Sequence, residues 1–279
     1  MTDTACSSVR SVTYRPQIDV ERLRAALGPA WSRVQVVSET ESTNADLLAD
    51  AAAPERTLLV AEHQVGGRGR LDRTWTSPPR AGLTFSVRLR PNVPASSWGW
   101  LPLLTGVALR AAVAERTGVA ATLKWPNDLL APDGRKLAGI LAQSSGAQTS
   151  GAAAVVGIGL NVDTTADELP VETATSLTLA GATEPDRTDL LGAVLGQLDG
   201  WLDAWTGAAG DPLASGLLAA YRAACSTLGQ PVRVSLGDGS TVEGEAVDLD
   251  VSGRLVVQTG SGERAVSAGD VEHLRPVNR

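Results

Sequence analysis

Cysteine and histidine are scarce in this sequence. Its 279 residues include two cysteines, Cys6 and Cys225, and two histidines, His63 and His273. Two cysteines so far apart form neither a disulfide framework nor a set of metal ligands at typical spacing. Neither histidine follows a G-x-S-x-G segment, so a nucleophile-elbow triad is excluded and we interpret both as structural residues. We therefore expect no protein-held metal and a reducing compartment, the cytoplasm.

Long apolar runs are also missing. No stretch of about 18 apolar residues exists, and the start MTDTACSSVRS has neither the basic nor the apolar block of a secretory signal. These absences predict a soluble protein without a membrane partner. Hydrophobic residues make up 43% and charged residues 20% of the chain, which is an ordinary globular composition. The length fits two domains of roughly 100–200 residues each.

Lysine is the scarcest of the charged residues. The net charge is −7, which argues against non-specific binding to nucleic acid. Of the 24 basic residues only two are lysine, Lys124 and Lys136. An ammonium is a compact point charge on a flexible stem, whereas a guanidinium is a planar fork. Two lysines in an arginine-dominated chain therefore indicate roles that arginine does not fill.

The hydrophobic pattern predicts interleaved helices and strands without strict βαβ alternation, which favours an α+β fold. Residues 83–90 alternate apolar and polar side chains, as a half-buried strand does, and 162–187 form a long polar loop. From Leu228 onward, short strands separated by glycine-containing turns are typical of a small β-barrel. We expect domains over 1–227 and 228–279. The predicted helices cover 18–28, 42–53, 98–118, 188–205 and 211–225, and the other predicted strands cover 34–39, 57–63, 121–130, 135–143 and 152–163.

The segment AEHQVGGRGRLDRTW, residues 61–75, combines glycines with three arginines at the end of a predicted strand. Glycines let backbone N–H groups approach an anion, and spaced guanidinium groups clamp it from several sides. The segment has neither the Walker sequence nor the G-x-G-x-x-G sequence of dinucleotide-binding folds. A solvated basic loop or an RG-type nucleic-acid segment stays open as an alternative.

Three further segments carry candidate site residues. Both lysines lie in KWPNDLLAPDGRKLAGILAQ, residues 124–143, where Gly139 leaves room for a ligand or another backbone. A hairpin with PND as its turn is the alternative for that segment. In VVGIGLNVD, residues 155–163, Asn161 ends a strand and is placed to contact a polar ligand atom. STN, residues 42–44, offers hydroxyls at a helix start, for which simple capping is the alternative.

Taken together, these segments resemble the biotin–protein ligases. STN, GRGRxxRxW, KWPNDL, RKLAGIL and GIGLNV occur in the order of that family, and VSAGDVEHLR extends the resemblance to the C-terminus. The order of the motifs is specific, whereas each motif alone is not. The resemblance implies a mixed-sheet α+β catalytic domain of the biotin/lipoate ligase type, followed by a small SH3-like β-barrel.

The resemblance also implies a two-step reaction with biotin and Mg²⁺-bound ATP. The biotin carboxylate attacks the α-phosphate, giving biotinyl-5′-AMP and pyrophosphate. A lysine of a biotin carboxyl carrier domain, from an acyl-CoA carboxylase or pyruvate carboxylase, then displaces AMP. The glycine-rich stretch 66–69 would close over the intermediate, and Gly66 stands where the family usually has alanine. The 41 residues before Ser42 are too few for a winged helix-turn-helix, so we expect a monofunctional ligase without nucleic-acid binding.

The family's functional residues carry over onto the matching positions. The implied catalytic residues are Lys136, Arg68, Arg70 and Asp128, of which Asp128 is our hypothesis for orienting or deprotonating the acceptor amine. The implied biotin-binding residues are Ser42, Thr43, Asn44, Gln64, Arg68, Gly69, Arg70, Lys136 and Gly139. The implied ATP- or adenylate-binding residues are Arg70, Arg73, Trp75, Lys124, Asn127, Lys136, Asn161 and Arg275. No residue is expected to ligate a metal.

Two other functions fit parts of the sequence. A lipoate–protein ligase shares the fold and the acyl-adenylate chemistry, but its GGG…HD-like signature is missing here. A nucleic-acid-binding module with an RG loop predicts a basic surface, whereas residues 229–279 contain five arginines and eight acidic residues. A catalytically inactive relative is disfavoured because every cationic motif position is kept.

Overall fold

The computed structural model describes residues 14–70, 73–145, 152–267 and 269–274. The α-helices are α1 Val20–Leu27, α2 Thr43–Ala49, α3 Leu101–Thr117, α4 Arg187–Gly207 and α5 Leu217–Ala224, and a 3₁₀ helix, Ala95–Trp100, precedes α3. The strands are β1 Arg33–Val37, β2 Thr57–Ala61, β3 Gly67–Arg68, β4 Thr74–Trp75, β5 Gly82–Leu89, β6 Thr122–Lys124, β7 Asp128–Leu130, β8 Lys136–Ser145, β9 Ala153–Asn161, β10 Pro231–Ser235, β11 Thr241–Leu249, β12 Leu255–Thr259, β13 Gly262–Val266 and β14 Asp270–His273.

Seven strands form a mixed sheet in the order β1-β2-β5-β9-β8-β7-β6. The β1–β2 pair is parallel and the other pairs are antiparallel. Helices α1, α3 and α4 pack together over the main hydrophobic core, while α2 packs on β5 and β9 with its own small apolar cluster. The predicted α+β fold with a mixed sheet is confirmed.

Helices α1, α3 and α4 match their predicted ranges within three residues at each end, whereas α2 ends four residues before its predicted end and α5 begins six residues after its predicted start. Ser42 caps α2 by accepting a hydrogen bond from the Ala45 N–H, and Asp186 caps α4 in the same way through the N–H groups of its first turn. Helix α3 tolerates a proline in its first turn and ends at Thr117, where Gly118 follows as the C-cap in a left-handed conformation with φ 70°. The cap of α2 matters for function, because it fixes the start of that helix over the sheet.

Strand β5 departs from the prediction of a half-buried strand, because all eight of its residues are buried. Its apolar side chains belong to the main core. Its polar side chains, Thr84, Ser86 and Arg88, lie on the opposite face, which α2 covers. Arg88 donates hydrogen bonds to the Leu47 and Ala51 carbonyls at the end of α2. An alternating pattern thus marks a polar but covered face here, not a solvent face.

The segment 121–143 forms three strands, where the sequence pattern predicted two. Strands β6 and β7 pair with Lys124 opposite Asp128, so the turn between them is Trp125-Pro126-Asn127. Strand β8 follows after the Asp133–Gly134 turn and pairs with β7 and β9. The predicted first strand was too long because its proline turn lies within an otherwise apolar run.

The C-terminal strands form an antiparallel sheet in the order β13-β12-β11-β10-β14. The predicted closed barrel is wrong for the described residues, since β13 and β14 are both edge strands. A bulge between Ala246 and Asp248 bends β11, but five short strands leave the two edges apart. Strand β14, which the turn pattern did not predict, pairs with β10 at the edge of this sheet.

The two sheets share one hydrophobic core. Buried residues of the small sheet, including Val232, Leu249 and Val257, belong to the same apolar cluster as those of the large sheet. Among the described residues, no helix is both long and apolar enough to cross a membrane.

Candidate active site

A cavity of about 490 Å³ lies on the face of the large sheet that carries α2. The first residues of α2, the β3–β4 hairpin, strands β7 to β9 and the loop after β9 form its walls. Most residues predicted for the site line it: Ser42, Thr43, Asn44, Gln64, Arg68, Gly69, Arg70, Arg73, Trp75, Asn127, Asp128, Lys136, Gly139 and Asn161. Segments more than one hundred residues apart in sequence therefore meet at one site.

One end of the cavity holds a network of neutral polar side chains. Gln64 Oε1 accepts from the Thr43 N–H at 2.9 Å and from the Thr43 hydroxyl at 3.2 Å. The hydroxyls of Thr43 and Ser86 are 2.7 Å apart, and Ser86 Oγ donates to Asn44 Oδ1 at 2.6 Å. Asn44 Nδ2 donates to the Leu141 carbonyl at 3.1 Å and to Gln143 Oε1 at 2.9 Å. Because the members hold one another in place, this end is preorganised for a neutral polar ligand group.

Lys136 and Asp128 form an ion pair at the middle of the cavity, with Lys136 Nζ 2.6 Å from Asp128 Oδ1. Strand pairing fixes both residues, because Asp128 starts β7 and Lys136 starts β8. The loop after β9 also binds the Lys136 backbone, whose N–H donates to the Thr173 carbonyl and whose carbonyl accepts from the Thr175 N–H. The side chains are 34% and 19% exposed, so the ammonium still reaches the cavity.

Four cations, Arg68, Arg70, Arg73 and Lys136, line the cavity, and we call them the cation cluster. Neither Arg68 nor Arg70 has an ion-pair partner within 4.0 Å among the described residues. Burial lowers the pKa of Arg70, while the carboxylates of Asp128 and Asp270 act in the opposite direction. The two arginines are therefore available for an anionic ligand.

Trp75 lies across two glycines of the cavity floor. A Cβ atom built at Gly159 would overlap the Trp75 indole, and one built at Gly139 would lie 3.7 Å from Trp75 Cζ3. Strand β4 positions the indole, since Trp75 pairs with Gly67 across the β3–β4 hairpin. Its Nε1 is buried and has no hydrogen-bond partner among the described residues. The room predicted at Gly139 is thus used by this ring and by the Lys136 side chain.

Asn127 and Asn161 are held by backbone carbonyls. Asn127 Nδ2 donates to Ile140 O at 3.0 Å, and the buried Asn161 Nδ2 donates to Thr175 O at 2.9 Å. Asn161 therefore fixes the loop after β9 against the sheet. Its role toward adenine stays a prediction, as does that of Asn127.

One predicted residue of the described part of the chain, Lys124, does not line the cavity. Lys124 is half-buried beside His273 of the small sheet, where burial and the nearby ammonium lower the pKa of His273. Its predicted phosphate contact stays a prediction. Arg275 lies outside the described residues, as does Cys6. The histidines have structural partners, with His63 beside Glu39 at 3.0 Å and His273 Nε2 3.2 Å from Thr227 Oγ1.

The structure adds residues that sequence reasoning missed. Ser86 joins the polar network, and Gly157 leaves room for Asn44, which a Cβ there would overlap. Asp270, from the small sheet, pairs with Arg73 across the cavity mouth. Ser86 was visible as a polar residue of an alternating strand, and Gly157 as part of the GIG motif. No local pattern indicated Asp270, because its partner is 197 positions away.

Comparison with known proteins identifies the family. Residues 33–161 match the biotin/lipoate A/B protein ligase family, and 227–274 match the biotin protein ligase C-terminal domain. The chain is 42% identical to the biotin–[acetyl-CoA-carboxylase] ligase of Mycobacterium tuberculosis, covering 94% of this chain and 97% of that protein. It is 32% identical to the bifunctional ligase/repressor of Bacillus subtilis, covering 85% of this chain and 72% of that protein.

A solved structure agrees with both sheets. The biotin protein ligase of Aquifex aeolicus, in complex with biotin and ATP, superposes with a TM-score of 0.71 at 28% identity. The superposition covers 87% of this chain and 99% of that chain. The sequence resemblance is therefore confirmed, together with its mixed-sheet catalytic domain and C-terminal antiparallel β domain, and the chain belongs to the biotin protein ligase family.

Proposed function

We propose that the cavity activates biotin with ATP and transfers it to a lysine of a carrier protein. The observation that carries the proposal is the placement of Lys136 between two different environments. On one side lies the neutral polar network of Thr43, Asn44, Gln64 and Ser86. On the other side lie the arginines of the cation cluster. A ligand with a neutral polar head and a carboxylate tail, next to a polyphosphate, fits this division of the cavity.

Biotin would lie with its ureido ring at the polar network. That ring presents one carbonyl acceptor and two N–H donors, which hydroxyl and amide side chains can satisfy. The chain of biotin would then run from the polar network toward Lys136. In this orientation the biotin carboxylate and the α-phosphate of ATP meet at the Lys136 ammonium, with Arg68 and Arg70 beside them.

In the first step, a carboxylate oxygen of biotin forms a bond to the α-phosphorus. The bond from that phosphorus to the bridging oxygen breaks, and pyrophosphate leaves with the electron pair. Two anions repel each other, so the step needs fixed positive charge where negative charge accumulates. Lys136, Arg68 and Arg70 supply it, and Trp75 covers the floor beside the mixed anhydride, which limits access of water.

Magnesium enters this proposal only with the nucleotide. Among the described residues, no group of three or more His, Cys, Asp or Glu side chains is placed to hold a metal ion. The two carboxylates of the cavity, Asp128 and Asp270, already face Lys136 and Arg73. We therefore treat Mg²⁺ as part of the ATP substrate, bound through phosphate oxygens, and assign it no protein cage.

In the second step, a neutral lysine amine of the carrier attacks the acyl carbon, and AMP leaves with its electron pair. Neutralising an ordinary lysine at pH 7 costs about 4.6 kcal/mol. Asp128 is the cavity carboxylate nearest the reacting centre, since it contacts Lys136 at 2.6 Å. We assign it the role of orienting the acceptor amine and taking its proton as the C–N bond forms.

A ligase of this kind needs an acceptor protein and a compartment in which both occur. The acceptor would be the carrier domain of an acyl-CoA or pyruvate carboxylase, and nucleic acid would not be a partner. Residues 1–227 would form the catalytic domain and 228–279 the C-terminal domain. The cytoplasm would be the compartment, which fits the buried free thiol of Cys225.

The test is pyrophosphate release from ATP with biotin, lipoate or octanoate as the acid. We expect pyrophosphate release only when biotin is the acid supplied with ATP. We also expect Lys136→Arg to decrease kcat by about 100-fold, because the broader guanidinium cannot occupy the space between Asp128 and Gly139. Release with lipoate instead would keep the fold and replace the substrate. No release with any acid would refute the activity.

Asp128 is tested separately by supplying synthetic biotinyl-5′-AMP, which bypasses the first step. Asp128→Asn should slow single-turnover transfer to a carrier domain by at least about 100-fold. Glu115→Gln, which removes a carboxylate from the exposed face of α3, serves as the control. Transfer at the wild-type rate by Asp128→Asn would eliminate the assigned role.

A further inference from the structure

Asp270 belongs to the small sheet but lines the cavity of the large one. It is the first residue of β14 and lies opposite Ser235 of β10. The neighbouring Gly269 runs so close to β10 that a Cβ there would be 2.5 Å from Val234 Cγ1 and 3.0 Å from Ser235 O. The backbone at Asp270 is thus held tightly against its own sheet, and its carboxylate projects toward the β3–β4 hairpin.

The carboxylate of Asp270 pairs with the guanidinium of Arg73, a member of the cation cluster. Arg73 sits in the turn of the hairpin, where Gly69 N–H donates to its carbonyl at 2.6 Å and its own N–H donates to Arg70 O at 3.2 Å. The two side chains are 61% and 43% exposed. An exposed ion pair contributes little to stability, so a competing anion can replace the carboxylate on Arg73.

The cavity therefore contains two carboxylates that partly neutralise the cation cluster. Asp128 pairs with Lys136, whereas Asp270 pairs with Arg73 and also acts on Arg70. The reaction assigns a task to Asp128 but none to Asp270. A carboxylate in this position repels a polyphosphate and competes with it for the same guanidinium groups.

We propose that Asp270 occupies the cation cluster in place of nucleotide phosphates and is displaced when ATP binds. This inference rests on the proposed function and makes Asp270 a positioning residue that acts through Arg73. The carboxylate keeps the arginines oriented while the cavity is empty, and its displacement releases the hairpin from β14. Removal of its charge therefore strengthens the binding of ATP.

The experiment compares Asp270→Asn with wild type in the complete chain. We expect the KM for ATP and the Kd of a non-hydrolysable ATP analogue, measured by calorimetry, to fall by about three- to fivefold, the scale of one exposed ion pair. The KM for biotin should stay unchanged, since biotin binds beyond Lys136. Asp270→Glu keeps the charge and should restore the wild-type KM for ATP.

Glu272→Gln is the matched control, because it removes the same charge two residues along β14. Glu272 is 68% exposed, lies 3.6 Å from Arg233 and does not line the cavity. Glu272→Gln should leave the KM for ATP and the Kd of the ATP analogue unchanged. A higher or unchanged KM and Kd for ATP in Asp270→Asn would overturn the inference. Absence of pyrophosphate release by the wild type would count against the proposed function, whereas the calorimetry would still decide the role of Asp270.

Discussion

Two glycines of β9 determine which side chains lie over the sheet. A Cβ atom at Gly157 or Gly159 would lie on the cavity face of the sheet. Asn44 occupies that space at Gly157, and Trp75 occupies it at Gly159. Neither glycine has the positive φ that would make glycine a backbone requirement. Their contribution is therefore the close approach of two functional side chains to the sheet, and each can be tested by adding one methyl group.

We predict that Gly157→Ala raises the KM for biotin by about tenfold or more, equivalent to ~1.4 kcal/mol of binding free energy. The new methyl group displaces Asn44, which then loses its hydrogen bonds with Ser86 and Gln143. Steady-state pyrophosphate release at saturating ATP measures this change. An unaltered KM for biotin would contradict the placement of biotin at the polar network.

Gly159→Ala, two residues along the same strand, should affect the other substrate. It displaces the Trp75 indole, which loosens the hairpin carrying Arg68 and Arg70, so we predict an increase of about tenfold in the KM for ATP. The KM for biotin should change by less than about threefold. The two variants are controls for each other, because they make the same substitution in the same buried strand. Equal effects of both variants on both substrates would indicate general damage to the sheet instead.

The sequence predicted those site residues that belong to contiguous motifs. Lys136, Arg68 and Arg70 were found because lysine is rare in the chain and the arginines cluster within a short segment, whereas Gln64 came from the family resemblance. Asp270 and Ser86 were not found, since each acts on a partner far away in sequence. A pairing between distant positions depends on the packing of two sheets or of a helix on a sheet, and spacing along the chain does not report it.

At the level of elements, the loop after β9 is held by the segment before α1. Arg15 binds Glu168 through two hydrogen bonds of 3.1 and 2.6 Å and donates to the Asp163 carbonyl at 2.8 Å. The same loop continues to Thr173, which binds the Lys136 backbone. A segment outside the catalytic motifs therefore stabilises one wall of the cavity.

The ion pair of Arg15 makes this wall sensitive to acid. The Arg15 guanidinium and the Thr165 N–H lower the pKa of Glu168 to about 2, from an ordinary value of 4.5. The carboxylate form is thus favoured in the folded chain, so its stabilisation is complete above about pH 4.5 and is lost as the pH falls toward 2. We expect a contribution of about 1–2 kcal/mol after allowing for solvent screening.

Urea unfolding at pH 6 and pH 3 tests this prediction. Arg15→Gln should lower the free energy of unfolding by about 1–2 kcal/mol at pH 6. The decrease should be smaller at pH 3, where the wild type has already lost part of the interaction. Arg24→Gln is the control, because Arg24 pairs with Glu21 at an exposed position of α1. A loss for Arg15→Gln that is equal at both pH values would show that Glu168 is not the relevant partner.

The bounds of helices were predictable where local hydrogen bonds determine them. The burial and pairing of strands were less predictable, because packing between distant elements determines them. Caps and glycine stops located α2 and α3 within a few residues, because hydrogen bonds at helix ends are local. The burial of β5 was predicted wrongly, since the pattern cannot show that α2 covers the polar face. The predicted barrel closure failed for a similar reason, because closure depends on whether the two edge strands meet.

The whole molecule is joined by indole groups that cross between the sheets. Trp100 Nε1 donates to the Val251 carbonyl at 2.9 Å, and Trp125 Nε1 donates to the Gly253 carbonyl at 3.0 Å. Both carbonyls lie in the turn between β11 and β12, next to the shared core. This arrangement, together with the Arg73–Asp270 pair, places the small sheet as a wall of the active site. We therefore expect both sheets to unfold in a single transition.

The 3₁₀ helix before α3 offers a matched test of this coupling. Trp100→Phe leaves the Val251 carbonyl without its donor and opens a small cavity, so we predict a loss of about 2–4 kcal/mol in the free energy of unfolding. Trp98→Phe, two residues earlier, should cost less than about 1 kcal/mol, because Trp98 Nε1 is buried without a hydrogen-bond partner among the described residues.

Differential scanning calorimetry distinguishes joint from separate unfolding of the two sheets in these variants. If the sheets form one cooperative unit, Trp100→Phe lowers the Tm of one transition, and amide exchange accelerates together in β9 and β11. A second, earlier transition confined to β10–β14 would show that the small sheet unfolds by itself. In that case the contacts between the sheets would position Asp270 without stabilising the catalytic sheet.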